Sequence, residues 1–177
     1  MTIFTIDVQD EAVQSALDRL AEKLDNVQPA LKEIGDDIMQ RTKDRFGMSP
    51  VGQAPDGTPW QANAPATLAA WLGSSKRYRK KSGELNAAGL RHLAAKRPLI
   101  GKSGDLSREF HVAAGPHDVV IGSTMVYAAI QQFGGKAGRG HRVTIPARPF
   151  LQIFSDGTLY PQERELIVAK VKDMLQD

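Results

Sequence analysis

The chain opens with an alternation of period two, in which Ile3, Thr5 and Asp7 interleave with Phe4, Ile6 and Val8, and this predicts a short strand over residues 2–8. The period then changes. Behind Asp10, a candidate N-cap, Val13, Ala16, Leu17, Leu20, Ala21, Leu24 and Val27 recur at helical spacing and must lay one stripe on a core. A second helix is expected from Pro29, with Leu31, Ile34, Ile38 and Phe46 on its apolar side. Its acids Glu33, Asp36 and Asp37 come early and Arg41, Lys43 and Arg45 late, the order the helix dipole favours, and Gly47 is expected to end it as a left-handed cap. Residues 48–60, MSPVGQAPDGTPW, read as a loop that Trp60 pins to the core. Pro65 opens a short helix through Leu68, Trp71 and Leu72.

From Leu106 the pattern is β. Phe110 and Val112, a turn at Gly115–Asp118 and the run Val119–Ile121 predict a hairpin. Residues 126–133 fit two helical turns with Tyr127, Ile130 and Phe133 on one side, stopped by Gly134 and Gly135. Val143–Ile145 is a strand fragment ended by Pro146. A last helix starts at Pro161 with Leu166, Val171, Met174 and Leu175 as its expected buried side. No internal repeat is legible.

Length and charge sharpen this picture. The 177 residues fit one domain. The net charge of +3 is unevenly spread: residues 1–50 hold 6 basic and 10 acidic side chains (net −4), 51–75 only Asp56, 76–148 hold 14 basic against 4 acidic (net +10), and 149–177 return to net −2. Such segregation suits polyanion binding or head-to-tail contact between copies. The basic excursion at about 74–102 reads as a solvated surface segment in which only Tyr78 among the aromatics could stack on a base. With no cysteine there are no disulfides, thiolate metal sites or cysteine nucleophiles. No apolar run approaches a membrane span and no leader pattern opens the chain, which predicts a protein made and used in the cytoplasm.

Catalytic signatures fail one by one. Gly101-Lys102-Ser103 resembles the end of a phosphate loop, but Lys96 stands where the required glycine belongs. GGKAGRG has neither a preceding strand nor a following helix, so it is no dinucleotide fingerprint. His92, His111, His117 and His141 lack metal-ligand spacing, and there is no Gly-x-Ser-x-Gly elbow. The expectation is no enzyme, no cofactor and no metal.

The stretch YAAIQQFGGKAGRGHRVTIPARPFL, residues 127–151, is where function is expected. Gly134–Gly140 contains four glycines, and ordering seven such residues costs roughly 10 kcal/mol with little apolar surface to offset it. Residues 134–142 are therefore expected to be a flexible loop that orders against a partner. The candidate contact residues are Gln132, Gly134, Gly135, Lys136, Arg139, Arg142 and Arg148, the last open between a pair within the subunit and one between subunits. Trp60, Tyr127, Phe133, Ile145 and Phe150 are the expected anchors, with Pro146 and Pro149 stiffening the exit.

The segments Pro55-Asp56-Gly57-Thr58-Pro59-Trp60, Ser103-Gly104-Asp105-Leu106, Tyr127-Ala128, Gln132-Phe133-Gly134 and Ile145-Pro146-Ala147-Arg148-Pro149-Phe150-Leu151 resemble, in order and spacing, the tail-completion or virion-morphogenesis family of Mu-like and related tailed phages. The likeness covers most of the chain. It departs in having Gln131 where a histidine is common before Gln-Phe-Gly, and in the basic excursion over Ser74–Ala95. The resemblance implies an α+β domain with an antiparallel sheet packed by N-terminal helices and a C-terminal helix. It also implies a structural virion protein that forms a ring, six-fold, at the head-proximal end of the tail, stops tail-tube growth and joins the head. Its partners would be its own copies and the tail-tube and neck proteins, with DNA passing through the ring, and its place the virion after assembly in the host cytoplasm. The alternative from a different class is a nucleic-acid-binding domain using residues 76–102 and Lys136–Arg148.

Overall fold

A computed structural model describes residues 22, 25–48 and 51–176. The strand expected over residues 2–8 and nearly all of the helix expected after Asp10 lie outside them. The fold is α+β. Five α-helices are described: α1 (Gln28–Gly47), α2 (Pro65–Leu72), α3 (Ala87–Ala94), α4 (Ala128–Phe133) and α5 (Pro161–Gln176). The strands β1 (Phe110–Ala114) and β2 (Val119–Ser123) form one antiparallel pair, and β3 (Gly135–Ala137) and β4 (Val143–Ile145) form another. Among the described residues the expected antiparallel pairing takes the form of two separate hairpins. No helix among the described residues is long and apolar enough to cross a membrane.

Helix α1 is the spine. Pro29 sits in its first turn, where a missing N–H costs nothing. Gly47 does not form the expected left-handed cap: it remains helical, and Met48 leaves as extended chain. One face of α1 lies on the β1–β2 hairpin, where Gly35 makes the close approach possible. A Cβ there would come within 2.5 Å of Val112 and 2.6 Å of Val119. Its C-terminal turn delivers Phe46 into the core with Ala54, Trp60, Leu106, Phe110, Ala128 and Phe150. The Phe46 ring lies 5.1 Å from Trp60, 5.5 Å from Phe150 and 6.0 Å from Phe110, centroid to centroid, in edge or tilted geometries that aromatic quadrupoles favour.

Helix α5 runs antiparallel to α1 and is held by charge. Glu163 is buried and accepts hydrogen bonds from Arg45 and, at 3.1 Å, from Arg41, while Lys170 reaches Glu33 at 2.5 Å nearer the other end. Arg45 is also buried, and burial draws its pKa below the ordinary arginine value while Glu163 opposes the shift. Of the apolar side expected to be buried, Leu166 and Val171 are exposed and Met174 is half-buried, while the side chain of Leu175 lies outside those described; Val168 is exposed as well. The residue that docks this helix is its first-turn acid.

The chain does contain a repeat. Gly52–Trp60, Tyr78–Asn86 and Gln152–Tyr160 build one turn three times. In the first, Ala54 N–H donates to Thr58 O (2.8 Å), Gly57 N–H to Ala54 O (2.9 Å) and Trp60 N–H to Gly52 O (3.0 Å). Phe154, Gly157 and Tyr160 repeat this onto Thr158, Phe154 and Gln152, and Lys80, Gly83 and Asn86 onto Glu84, Lys80 and Tyr78. The turn glycines Gly57, Gly83 and Gly157 share φ near +84°, +88° and +85°. The second and third turns end immediately before a helix, at Asn86 before α3 and at Tyr160 before α5. In two of them an aspartate, Asp56 or Asp156, accepts the N–H of the threonine two residues on.

The basic excursion is built, not loose. His92 lies between Trp71 and Tyr78, with ring centroids 5.2 and 4.4 Å away and planes nearly parallel. Tyr78, the expected base-stacking residue, spends that face on His92.

Replacing Glu163 with Gln leaves the buried Arg45 guanidinium without its counter-charge and is expected to cost about 3–5 kcal/mol in urea unfolding. Gly57→Ala, Gly83→Ala and Gly157→Ala have open space for the new methyl group. Each is expected to cost a similar amount, about 1–2 kcal/mol, from backbone strain alone. Unequal losses in the same urea series would show that the three turns are not mechanically equivalent.

Candidate assembly surface

Between Pro149 and Ile153 the chain crosses the core without belonging to any strand, so its backbone polar groups need side-chain partners. They have them. Trp60 donates Nε1–H to Pro149 O (2.7 Å), and Arg45 donates Nη1–H to Phe150 O (2.9 Å). On the other side Gln132 behaves like a piece of neighbouring strand: its Oε1 accepts from Phe150 N and Leu151 N, both at 2.8 Å. Its Nε2 donates to Leu151 O (3.3 Å) and Ile153 O (3.0 Å). Gln152 extends the lock by donating Nε2–H to Ile38 O (3.0 Å) and Thr42 Oγ1 (2.7 Å) on α1. Phe150, at the centre, has no exposure at all.

This clasp corrects two candidate contact residues. Gln132 is 1% exposed and all its polar atoms are used inside the subunit. Arg148 is buried too, and within the subunit it donates Nε–H to Gln61 O (2.8 Å) and Nη2–H to Ala62 O (3.1 Å). Gly134 is also internal. With φ at +73°, it lies so close to the returning chain that a Cβ would come 2.8 Å from Ala147 N. The Gln-Phe-Gly and Pro-Ala-Arg-Pro-Phe-Leu segments are the two halves of one lock.

The anchors divide similarly. Trp60 and Phe150 are buried, and Ile145, Pro146 and Pro149 half-buried. Tyr127 and Phe133 are each 42% exposed. The physical reason is that α4 buries Ala128 and Gln132, one turn apart, and so turns the Tyr127 and Phe133 face outward. Glutamine is polar, so a hydrophobic pattern points to the wrong side of this helix.

Residues 134–142, expected as a flexible loop, form most of a hairpin. Lys136 opposes Thr144, flanked by Gly135 opposite Ile145 and Ala137 opposite Val143. The turn uses Gly138 (φ +76°), Gly140 (φ +70°) and His141 (φ +53°), so the glycines that suggested looseness supply the left-handed backbone a tight reversal requires. Lys136, Arg139 and Arg142 are exposed, and none pairs with a carboxylate among the described residues. Close by in sequence stand Val126, Tyr127, Phe133 and Val143, all exposed. No group of acids and histidines among the described residues could hold a metal ion.

The family model for phage virion morphogenesis matches residues 8–175. The chain belongs to the phage virion morphogenesis family. Within this virion morphogenesis protein a 60-residue stretch is 47% identical to Mu-like prophage FluMu G protein 2 of Haemophilus influenzae, a match covering 34% of this chain and 39% of that protein. No solved structure matches.

Gln132→Leu keeps the volume but strands Phe150 N–H, Leu151 N–H and Ile153 C=O. It is expected to cost about 3 kcal/mol or more in chemical unfolding, since each buried group left unpaired costs ~1–3 kcal/mol. A loss below about 1 kcal/mol would mean the clasp is dispensable.

Proposed function

We propose that this protein completes or terminates the phage tail and joins it to the head as a ring of six identical subunits. The family assigns it a structural part in virion assembly, and the basic hairpin carries the finer reading. Three cations with no carboxylate partner among the described residues stand on a short, turn-stiffened element beside exposed Val126, Tyr127, Phe133 and Val143. Apolar side chains flanked by charge are the composition of a protein–protein contact. Exposed acids on α1 and α5, among them Asp44, Glu165 and Asp173, give a neighbouring copy opposite charge to offer. A contact between two different surfaces of identical subunits is heterologous, and heterologous contacts close into rings. The subunit performs no chemistry in this reading, and the tail-tube and neck proteins contact the faces of the ring, through which DNA passes.

Lys136→Ser, Arg139→Ser and Arg142→Ser combined are expected to leave urea stability and circular dichroism unchanged while abolishing incorporation into tails. Complementation of a phage lacking the protein, with tails counted by electron microscopy, measures the loss. Normal tails with the triple variant would remove the hairpin from the interface.

A further inference from the structure

A groove of about 520 Å³ lies on the other side of β4 from β3. Val143, Thr144 and Ile145 all line it. Successive strand residues point to opposite faces, so a groove touched by three in a row meets the strand at its edge. β3 occupies the other edge of β4, and among the described residues the pair has no third strand. Among the described residues, the backbone groups on the groove side of β4 have no backbone partner. An open edge of this kind is a template for strand addition.

The same groove holds two cations, Lys96 and Arg148. Lys96 donates Nζ–H to Arg97 O (3.0 Å) and to Ile100 O, Arg148 donates to Gln61 O and Ala62 O, and neither pairs with a carboxylate among the described residues. Desolvation lowers the pKa of both, and Arg148 lowers that of Lys96 further. Two partly buried like charges held by carbonyls, with the Trp71 ring centroid 5.0 Å from Lys96 Nζ, form a site that an arriving carboxylate would complete. Asn63 and Thr67 add hydrogen-bonding groups along the wall.

We propose that this groove receives an extended segment of a second virion protein, which adds to β4 as a third strand and sets an acidic side chain against Lys96 and Arg148. We take the occupant to be a different protein because, among the described residues, the exposed carboxylates of this chain sit on helices, in turns or at the ends of the already paired β1–β2 hairpin, so no described segment of another copy offers an extended acidic strand. Asp56 and Asp156 are further committed to their own threonines. The proposal rests on the reading of this chain as an assembly subunit, but it uses a surface separate from the basic tip of the hairpin.

The probe is a fluorescein-labelled peptide of alternating Thr and Val with one central Asp, titrated into the full-length protein by fluorescence anisotropy alongside two controls. One control carries Asn in place of Asp, and the other is N-methylated at alternate residues. The Asp peptide is expected to bind about tenfold more tightly than the Asn peptide, the N-methylated peptide not to bind, and Lys96→Gln to erase the preference for Asp. Because Lys96→Gln could disturb the fold, amide hydrogen exchange on the unaltered protein supplies a second reading: the Asp peptide should protect the amides of β4. Equal binding of Asp and Asn peptides, binding that survives N-methylation, or no binding at all would overturn the proposal. A photo-crosslinker at Thr144 that joined only copies of this chain in assembled particles would also overturn it. Failure of the hairpin variant to block tail assembly would count against the ring reading and leave the peptide result standing.

Discussion

The structure turns on a five-residue strip of backbone, Pro149 to Ile153, that runs through the core outside any strand and meets other backbone at its Gln152–Ile153 end. Buried N–H and C=O groups must be paired, and here side chains do the pairing: Trp60 from the first Gly-turn, Arg45 from α1 and Gln132 from α4. Each partner is placed by a different part of the chain, so the strip can be satisfied only when all three parts are in position. Arg45 couples this lock to the next, because its other nitrogen holds Glu163 and hence α5. Such networks give a cooperative fold to a domain whose two sheets are each too small to stand alone.

The same economy explains why the segment around the glycine-rich hairpin divides into two kinds of residue. Gln132 and Gly134 are consumed in holding the ends of the hairpin to the body, and the polar atoms of Gln132 have nothing left to offer a partner. Lys136, Arg139 and Arg142, beyond the lock, meet no carboxylate among the described residues. Rigid support at the base and unspent charge at the tip is an arrangement suited to binding without prior loss of loop entropy. The virion morphogenesis protein thus carries a presented element where a disordered one was expected, and the groove along its inner edge adds a second surface of different character.

The three Gly-turns show how far local sequence reaches. Two carry Asp-Gly-Thr and could have been matched by eye. The third, Lys80-Lys81-Ser82-Gly83-Glu84, shares only the glycine, and its identity appears in the hydrogen bonds alone. The long basic excursion looked solvated because its charges dominate its composition, and the Trp71, His92 and Tyr78 stack joins residues twenty-one and fourteen positions apart. Helix α5 was legible as a helix but not in how it docks, since a buried Glu163 outweighs the apolar residues that remain outside.

What the sequence by itself determined is what depends on neighbours along the chain. That includes the helices opened by Pro29, Pro65 and Pro161, the β1–β2 hairpin, the strand at Val143–Ile145 and the family likeness carried by the Gln-Phe-Gly and Pro-Ala-Arg-Pro-Phe-Leu segments. Only the tertiary structure decided which polar residues are spent inside. A glutamine, two arginines and a glutamate read as surface groups on any hydrophobic scale, and burying them is favourable only when distant backbone and counter-charges arrive at hydrogen-bonding distance. That condition is a property of the folded arrangement, which no local pattern encodes.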